Sequence, residues 1–310
     1  MTRICDLNEL EPGLPVALTI GVFDGVHRGH QALINQVIQR ARSFGGLSVV
    51  LTFFPHPQDV LRPEAPVDAL TDLQERLNLM AALGVDVVAT LQFTLDLSHL
   101  SAEAFLDLLS EHMNLRELWV GPDFALGYRR SGTITRLAEI GQQRGFTVHT
   151  ITPVNIANKP VSSSRIRELV AAGDVEQAAA LLGRPPSLEG LVVAGVKRGR
   201  TLGFPTANLA LSARYLLPAN GIYAAFADVN DHLLPAVVNI GVRPTFGDND
   251  RLVEVYILDF DRDIYNQRLR IHLVKRLRDE LRFATVEALV AQMHKDVAEA
   301  RAVLAAIQAR

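Results

Sequence analysis

Two hydrophobic patterns divide the chain into an earlier and a later part. In the earlier part, short apolar runs alternate with segments whose apolar positions recur every three or four residues, which is the spacing of an amphipathic helix. The apolar runs predict buried strands over 16–20, 47–53, 85–91, 117–121 and 146–151. Because strands and helices alternate, this part predicts an α/β fold, a Rossmann-like parallel sheet covered by helices on both faces.

Helix signals lie between these runs. One predicted helix has a single apolar face made of Leu33, Ile34, Val37, Ile38 and Ala41. Thr71 with Gln74 has the spacing of a capping box, and Ser101 is a suitable N-cap for a further helix. Two short helices are predicted over 163–172 and 174–182.

The pattern changes after the segment Gly183-Arg184-Pro185-Pro186, which interrupts regular structure. Strands are then predicted over 188–196, 221–229, 233–240, 252–259 and 268–275. A final helix is predicted from Thr285 to about Gln308. Several strands with one closing helix predict a small antiparallel barrel, so we predict two domains, 1–184 and 187–310.

Composition narrows the class of protein. The 310 residues are 48% hydrophobic and 21% charged, which is typical of a soluble globular protein. A net charge of −3 gives no indication of a nucleic-acid or membrane partner, and no apolar run approaches the length of a membrane span. The N-terminus lacks a signal-peptide pattern and Cys5 is the only cysteine, so we expect a cytoplasmic protein. A weak homo-oligomer is left open.

The decapeptide at 21–30, GVFDGVHRGH, carries the strongest chemical signal. It lies where the first buried strand passes into a helix, so free N–H groups and the helix dipole favour an anion there. Its glycines allow close approach of the backbone, and His27 and His30 add donors suited to phosphate oxygens. From glycine spacing alone, a tight connection is an equal alternative, and two histidines three residues apart could form half of a metal site.

Three further segments of the first part could contribute to that site. Gly121-Pro122-Asp123-Phe124 follows another strand, although any βα turn can have this composition. The segment 162–167, SSSRIR, opens a helix with hydroxyls that cap it, and two arginines in its first turn favour a bound triphosphate. Phe54-Pro55-His56-Pro57 follows the second strand and either shapes a pocket or is a structural loop.

The later part contains the second strong signal, the run 195–208, GVKRGRTLGFPTAN. Glycines interleaved with cationic side chains suit phosphates, although a basic surface loop is the alternative. Hydroxyl and amide oxygens further along the run are suitable ligands for a hard divalent cation. Glu254 lies in an alternating strand, where a glutamate ordinarily faces solvent.

These motifs resemble those of the bacterial bifunctional riboflavin kinase/FMN adenylyltransferase family. The decapeptide resembles the HxGH signature of the nucleotidyltransferase superfamily, 121–127 resembles a GxDFxFG segment, and 162–167 resembles SSTxIR. Ala125-Leu126 replaces the family's usual Arg-Phe pair. The resemblance implies catalytic roles for His27 and His30 and a flavin contact for Phe124. It implies nucleotide contacts for Gly21, Phe23, Asp24, Gly25, Gly29, Gly121, Asp123, Ser163, Ser164, Arg165 and Arg167.

In the second domain the run 195–208 resembles the riboflavin kinase signature GxxxGRxxGFPTAN. The resemblance implies that Thr206 and Asn208 hold Mg²⁺ and that Glu254 acts on the ribityl hydroxyl. It implies nucleotide contacts for Gly195, Lys197, Gly199, Arg200 and Gly203, and flavin contacts for Pro205, Asn239 and Arg278.

The resemblance covers nearly the whole chain and implies two activities. The second domain would phosphorylate riboflavin with ATP to FMN, and the first would join FMN to the AMP part of ATP, giving FAD and pyrophosphate. Two alternatives stay open at this point. One is a nucleotidyltransferase for another phosphorylated acceptor, and the other is a flavin-binding regulatory protein without turnover.

Overall fold

A computed structural model describes residues 2–194, 202–211, 214–242 and 251–308 of the chain. The chain folds into two compact units, Met1–Asp68 with Asp72–Ser162, and Ala69–Thr71 with Ser163–Arg310. The sequence-predicted boundary at 184–187 stays a prediction. The two helices that precede it, predicted over 163–172 and 174–182, belong to the second unit in the structure.

The first unit is built on a six-stranded parallel sheet, as the alternating pattern predicted. Its ten strands, short hairpins included, are β1 Arg3–Asp6, β2 Pro15–Gly21, β3 Leu47–Phe54, β4 Val87–Gln92, β5 Asn114–Val120, β6 Ala125–Leu126, β7 Gly132–Thr133, β8 Thr147–Thr150, β9 Asn155–Ile156 and β10 Lys159–Pro160. The order in the main sheet is β1-β4-β3-β2-β5-β8. Strand β1, a four-residue edge strand with a mixed burial pattern, is not predicted by the apolar runs of the sequence.

The helices of the first unit cover both faces of this sheet. They are α1 Arg28–Ser43, α2 Pro57–Leu61, α3 Leu73–Ala81, α4 Leu95–Ser98, α5 Ala102–His112 and α6 Ile134–Arg144. One face packs on α1 and α3 around Ile34 and Met80, and the other packs on α5 and α6 around Leu109 and Ile140. The predicted N-cap Thr71 is wrong, because Asp72 accepts the capping hydrogen bond from the Glu75 N–H at 2.7 Å.

The sheet order fixes where a ligand would bind. From β2 the chain adds β3 and then β4 on one side, and later adds β5 on the other side. Strands β2 and β5 are therefore neighbours at the point where the strand order reverses. Open parallel sheets bind ligands beyond the carboxyl ends of the strands at such a switch point. The loops after Gly21 and after Val120 both begin there.

The second unit contains a closed antiparallel barrel in the order β11-β12-β15-β14-β13-β16. Its strands are β11 Ser187–Val193, β12 Ala207–Leu211, β13 Gly221–Val229, β14 His232–Val242, β15 Arg251–Ile257 and β16 Arg268–Arg278. Its helices are α7 Ser163–Ala171, α8 Val175–Leu182 and α9 Val286–Gln308. Strand β12 is not among the predicted strands, because its first residues complete the motif at 195–208.

The barrel interior is filled with side chains that alternate along each strand, such as Val253, Val255 and Ile257. On the outside, α9 packs against Ala224 and Phe226 of β13. Val175 at the start of α8 belongs to the same buried cluster as the barrel interior. A short segment at Ala69 also joins this unit, because its backbone pairs with that of Tyr215.

Candidate active sites

The first candidate site is the loop that follows β2. A short 3₁₀ turn, Asp24–Val26, separates the strand from α1. Phe23 and Val26 have φ values of 54° and 38°, which lie in the left-handed region that non-glycine residues rarely adopt. Each such residue costs about 1–2 kcal/mol and persists only where the surroundings hold it. Both side chains are buried, so packing holds the loop in this shape.

The two histidines of this loop stack on each other. The ring centroids of His27 and His30 are 3.6 Å apart and the ring planes differ by 15°. His27 is the N-cap of α1, and its Nδ1 accepts a hydrogen bond from the His30 backbone N–H at 3.3 Å. A neutral His27 therefore carries its proton on Nε2, where it is a donor. Phe23 meets His30 edge-on at 5.2 Å.

Two glycines of the loop make room for these rings. A Cβ at Gly29 would lie 3.1 Å from the His27 ring, and a Cβ at Gly21 would lie 3.1 Å from the Phe23 ring. Gly25 has a φ of 77°, which a residue with a side chain adopts only with strain. The glycines predicted to admit a bulky ligand thus also admit the loop's own aromatic rings.

The surroundings of His30 favour its neutral form. Burial is the main cause that holds the pKa of His30 well below its ordinary value, and the nearby His27 and Arg76 lower it further. Its Nδ1 is buried and has no hydrogen-bond partner among the residues that the structure describes. His30 therefore enters a reaction at neutral pH as an uncharged imidazole.

The second loop of this edge begins at Gly121, where a Cβ would meet nothing within 4 Å. The Phe124 N–H donates to the Gly121 carbonyl at 3.2 Å, and Arg130 donates to the Asp123 carbonyl at 2.6 Å. Phe124 packs partly against the core, and Asp123 is exposed. The β6–β7 hairpin follows, and Ala125 and Leu126, the residues that depart from the family pattern, form β6.

The segment after β3 contains an exposed aromatic side chain. Phe54 is 51% exposed and precedes a cis peptide bond to Pro55. His56 caps α2, because its Nδ1 accepts a hydrogen bond from the Gln58 N–H at 3.1 Å. This segment therefore combines a structural role at His56 with an accessible ring at Phe54.

Sequence reasoning missed a buried cation beneath the first loop. Arg76 of α3 is buried, and its guanidinium donates to the carbonyl oxygens of Val22 at 2.9 Å and Phe53 at 3.2 Å. In the sequence Arg76 resembles any arginine on a helix, because the spacing of the apolar residues of α3 does not show that this polar side chain is buried. Only the structure shows that the side chains of both Glu75 and Arg76 are buried.

The second candidate site lies on the outer wall of the barrel. Asn208 of β12, Glu254 of β15 and Asn239 of β14 are directly opposite one another on three neighbouring strands. Their sequence neighbours Leu209, Val253 and Ile240 face the interior, so the three polar side chains share the outer face. The Asn239 amide donates to Glu254 Oε2 at 3.4 Å, and Asn208 is buried despite its outward position.

A cavity of about 480 Å³ lies on the interior side of β15, the opposite face from this polar row. Pro205 and Thr206 line it together with apolar side chains of the strands, Val255 and Ile257. The segment 260–265, which follows β15, closes another side with Asp261, Arg262 and Asp263 among others. The cavity has the size and the mixed lining of a small-molecule site.

Aromatic rings continue the outer face beyond Glu254. Tyr256 follows two residues later on β15, and Phe204 meets its ring edge-on at 5.3 Å. Phe204 also meets His294 of α9 edge-on at 5.1 Å. Phe204 is buried, so the segment that leads to Thr206 is held in place by side-chain packing.

Arg278, a predicted flavin contact, is engaged within the protein. Its Nε and Nη2 donate to the Asp296 carboxylate at 2.8 and 2.7 Å, and its Nη1 donates to the Asp279 carbonyl at 2.8 Å. This bidentate pair joins the end of β16 to α9. A flavin contact by Arg278 stays a prediction.

Other predicted residues lie elsewhere. Ser163, Ser164, Arg165 and Arg167 lie at the start of α7, in the second unit, and their phosphate contacts stay predictions. Gly195, Lys197, Gly199 and Arg200 lie outside the described residues, and Gly203 is exposed with a φ of 85°. The described residues contain no cluster of three or more His, Cys, Asp or Glu side chains suited to a metal. In the same part of the chain, every helix is too short or too polar to cross a bilayer.

Comparisons with known proteins agree with this division. The family model for FAD synthetase matches residues 12–165, and the model for riboflavin kinase matches residues 182–304. A bifunctional riboflavin kinase/FMN adenylyltransferase of Listeria monocytogenes is 40% identical over 293 residues, which cover 94% of this chain and 93% of that protein. The protein of the same description from Escherichia coli K12 is 37% identical over 286 residues, covering 92% of this chain and 91% of its own length.

A crystal structure of another protein has the same fold over nearly the whole chain. A protein of Streptococcus pneumoniae described as a macrolide-efflux protein aligns with a TM-score of 0.88 at 31% identity. The alignment covers 97% of this chain and 98% of that one. With both family models matched in order and relatives similar over nearly their full length, the chain belongs to the bifunctional riboflavin kinase/FMN adenylyltransferase family.

Proposed function

We propose that this protein makes FAD from riboflavin in two steps, with one step in each unit. The second unit transfers the γ-phosphoryl group of ATP to riboflavin and produces FMN. The first unit transfers the adenylyl group of a second ATP to FMN and produces FAD and pyrophosphate. Family membership supports the pair of reactions, and the two polar sites described above support their division between the units.

The observation that carries the adenylyl-transfer assignment is the stacked His27–His30 pair at the N-terminus of α1. An oxygen of the FMN phosphate attacks the α-phosphorus of ATP and forms a new P–O bond. The bond from that phosphorus to the bridging oxygen breaks, and its electron pair leaves with pyrophosphate. The attacking phosphate is already an anion, so the reaction requires neither a protein nucleophile nor a base.

Catalysis in this unit is therefore positioning and charge stabilisation. The first N–H groups of α1 and the Nε2–H of His27 are donors for phosphate oxygens. Donors fixed before the reaction stabilise the charge that develops on the leaving pyrophosphate without reorganisation. The buried, strained loop supplies this rigidity.

In the second unit the row Asn208–Glu254–Asn239 supports riboflavin phosphorylation. Glu254 accepts the proton of the ribityl hydroxyl, whose oxygen attacks the γ-phosphorus of ATP, and ADP leaves with the electrons of the broken bond. The Asn239 amide orients the carboxylate through its hydrogen bond to Oε2. The base therefore lies on the outer face of the barrel, between Asn208 and Asn239 on the neighbouring strands.

The residues before and at the start of β12 fit a magnesium ion. Thr206 supplies a hydroxyl oxygen and Asn208 a buried amide oxygen beside the Glu254 carboxylate. Hard oxygen donors that leave positions for phosphate and water are the ligands Mg²⁺ prefers. When bound, the ion would neutralise charge on the ATP phosphates.

We place the ATP of the kinase step in the cavity of about 480 Å³. Thr206, which lines it, precedes Asn208 of the polar row by two residues, and Val255 and Ile257 offer an apolar surface for the base. Arg262 and two aspartates close the far side. Apolar walls with a few polar groups are typical of a nucleotide pocket.

We place the protein in the cytoplasm. The only cysteine, Cys5, is free and buried, and burial raises the pKa of its thiol. A reducing compartment rich in ATP suits both the thiol and the substrates.

One incubation tests the whole proposal. Purified protein receives riboflavin and MgATP with no other enzyme, and FMN, FAD, ADP and pyrophosphate are followed by chromatography. We expect FMN to appear first and FAD to follow, with ADP and pyrophosphate as the respective co-products. Flavin binding without any product contradicts the proposal, and FMN without FAD contradicts the assignment of the first unit.

A further inference from the structure

The guanidinium of Arg76 has no role in the chemistry described so far. It is buried under the histidine loop, although a buried charge is expensive and an apolar side chain could fill the same volume. Its two carbonyl partners lie at the ends of different strands, since Val22 directly follows β2 and Phe53 is the second-last residue of β3. Arg76 thus joins the carboxyl ends of two neighbouring strands at the point where the loop begins.

The Val22 carbonyl is held from two sides. It accepts from Arg76 Nη1 at 2.9 Å and from the Thr52 hydroxyl at 3.1 Å. Val22 immediately precedes Phe23, whose left-handed backbone and edge-on contact with His30 set the loop geometry. A shift of this carbonyl would therefore move Phe23, and with it the aromatic contact to the His30 ring.

Acidic and basic side chains surround His30 and Arg76 beneath the loop. Besides burial, the groups that lower the pKa of His30 are His27 beside it and Arg76 from α3. Asp24 of the 3₁₀ turn and Asp72 at the start of α3 support the charge of Arg76, although burial still lowers its pKa. Glu75 is a further buried acid on α3, and Arg28 on α1 is exposed. Arg76 is therefore a fixed cation that opposes protonation of the imidazole above it.

We propose that Arg76 is a positioning residue for adenylyl transfer, which fixes the ends of β2 and β3 beneath the loop and thereby holds the stacked His27–His30 pair in place. The proposal rests on the proposed function of the first unit. Arg76 makes two contributions: its hydrogen bonds hold the loop geometry, and its charge adds to the burial that lowers the pKa of His30. A lysine at this position keeps the charge but loses the planar fork that reaches two carbonyls.

The test compares Arg76→Met, Arg76→Lys and Arg40→Met in the full chain. Arg40 is a matched control, because it pairs with buried Glu117 in the same unit and lies three helical turns after the loop on α1. NMR of ¹⁵N-labelled histidines gives the pKa of His30, and the pH profile of FAD formation from FMN gives the acidic limb of kcat/KM. Unfolding followed by the fluorescence of Trp119, on β5 of the same unit, reports whether the first unit of each variant is folded.

In Arg76→Met we expect the pKa of His30 and the acidic limb to move to higher pH, with kcat reduced about 10–100-fold. Arg76→Lys should restore the pKa and the acidic limb while kcat recovers only in part. Arg40→Met should change neither. A wild-type kcat in Arg76→Met overturns the inference, and an unchanged pKa and pH profile overturns its electrostatic part; if that variant does not fold, a wild-type kcat in Arg76→Lys overturns the inference. Absence of FAD formation by the unaltered protein would instead overturn the proposed function.

Discussion

The two candidate sites are built in opposite ways. The site of the first unit is one continuous loop in which backbone N–H groups, two histidines and a helix N-terminus follow one another within ten residues. The site of the second unit takes one residue from each of three antiparallel strands, and only the strand register brings Asn208, Glu254 and Asn239 together. The first site therefore depends on local backbone conformation, and the second depends on long-range strand pairing.

The largest expected effect concerns the side chain at the centre of the strand-built site. Glu254→Gln keeps the shape of the side chain but cannot accept a proton, so FMN formation should fall about 10²–10⁴-fold. Conversion of supplied FMN to FAD should be unchanged. Glu189→Gln is the control, since Glu189 is a barrel carboxylate paired with Arg268 and Arg270. Equal kinase activity in the two variants would remove Glu254 from the mechanism.

A smaller loss is expected in the loop-built site. His30→Ala should lower FAD formation from FMN about 10²–10³-fold, the usual effect of one lost donor at a developing charge. Riboflavin phosphorylation should stay near normal, because it belongs to the other unit. The control is His112→Ala, at the end of α5, where its ring contacts the Leu10 carbonyl at 3.2 Å. A His30 variant with normal adenylyl transfer would show that the backbone alone supports the reaction.

The unit boundary offers a third comparison, between fragments 187–310 and 163–310. We expect both to fold and to phosphorylate riboflavin. The shorter fragment lacks Val175, which lies in the buried cluster of the barrel, so its free energy of unfolding should be lower by about 1–3 kcal/mol. Urea unfolding followed by circular dichroism measures the difference. An insoluble or inactive 187–310 would contradict the predicted boundary.

The smallest effect is a pH dependence of stability in the first unit. The folded state lowers the pKa of His30, so the unfolded chain binds more protons as pH falls below about 6.5. The free energy of unfolding should therefore decrease on acidification, and His30→Gln should make this decrease shallower. Trp119, the only tryptophan, lies on β5 and makes fluorescence a probe of this unit alone. An identical slope in the variant would contradict a neutral His30.

The contrast also explains what could be predicted from the sequence. The loop site was predictable because its residues are contiguous and follow a strand signal, and the alternating pattern of the first unit predicted its sheet. Strand β12 was missed because its five residues continue a motif without a turn signal. The engagement of Arg278 by Asp296 depends on how α9 packs on the barrel, which is a tertiary property. Arg76 was missed because burial of a polar helix position leaves no mark in local spacing.

The backbone pairing at Ala69 limits how the two units can be produced as separate fragments. Ala69 donates its N–H to the Arg214 carbonyl at 2.8 Å and accepts from the Leu216 N–H at 2.9 Å, yet in the chain it lies between the two segments of the first unit. No single cut therefore separates two complete units, and a fragment that begins at residue 163 leaves two backbone groups without these partners. A circular permutant or a fusion of the second unit keeps every backbone partner only if it carries a copy of the segment Ala69–Thr71.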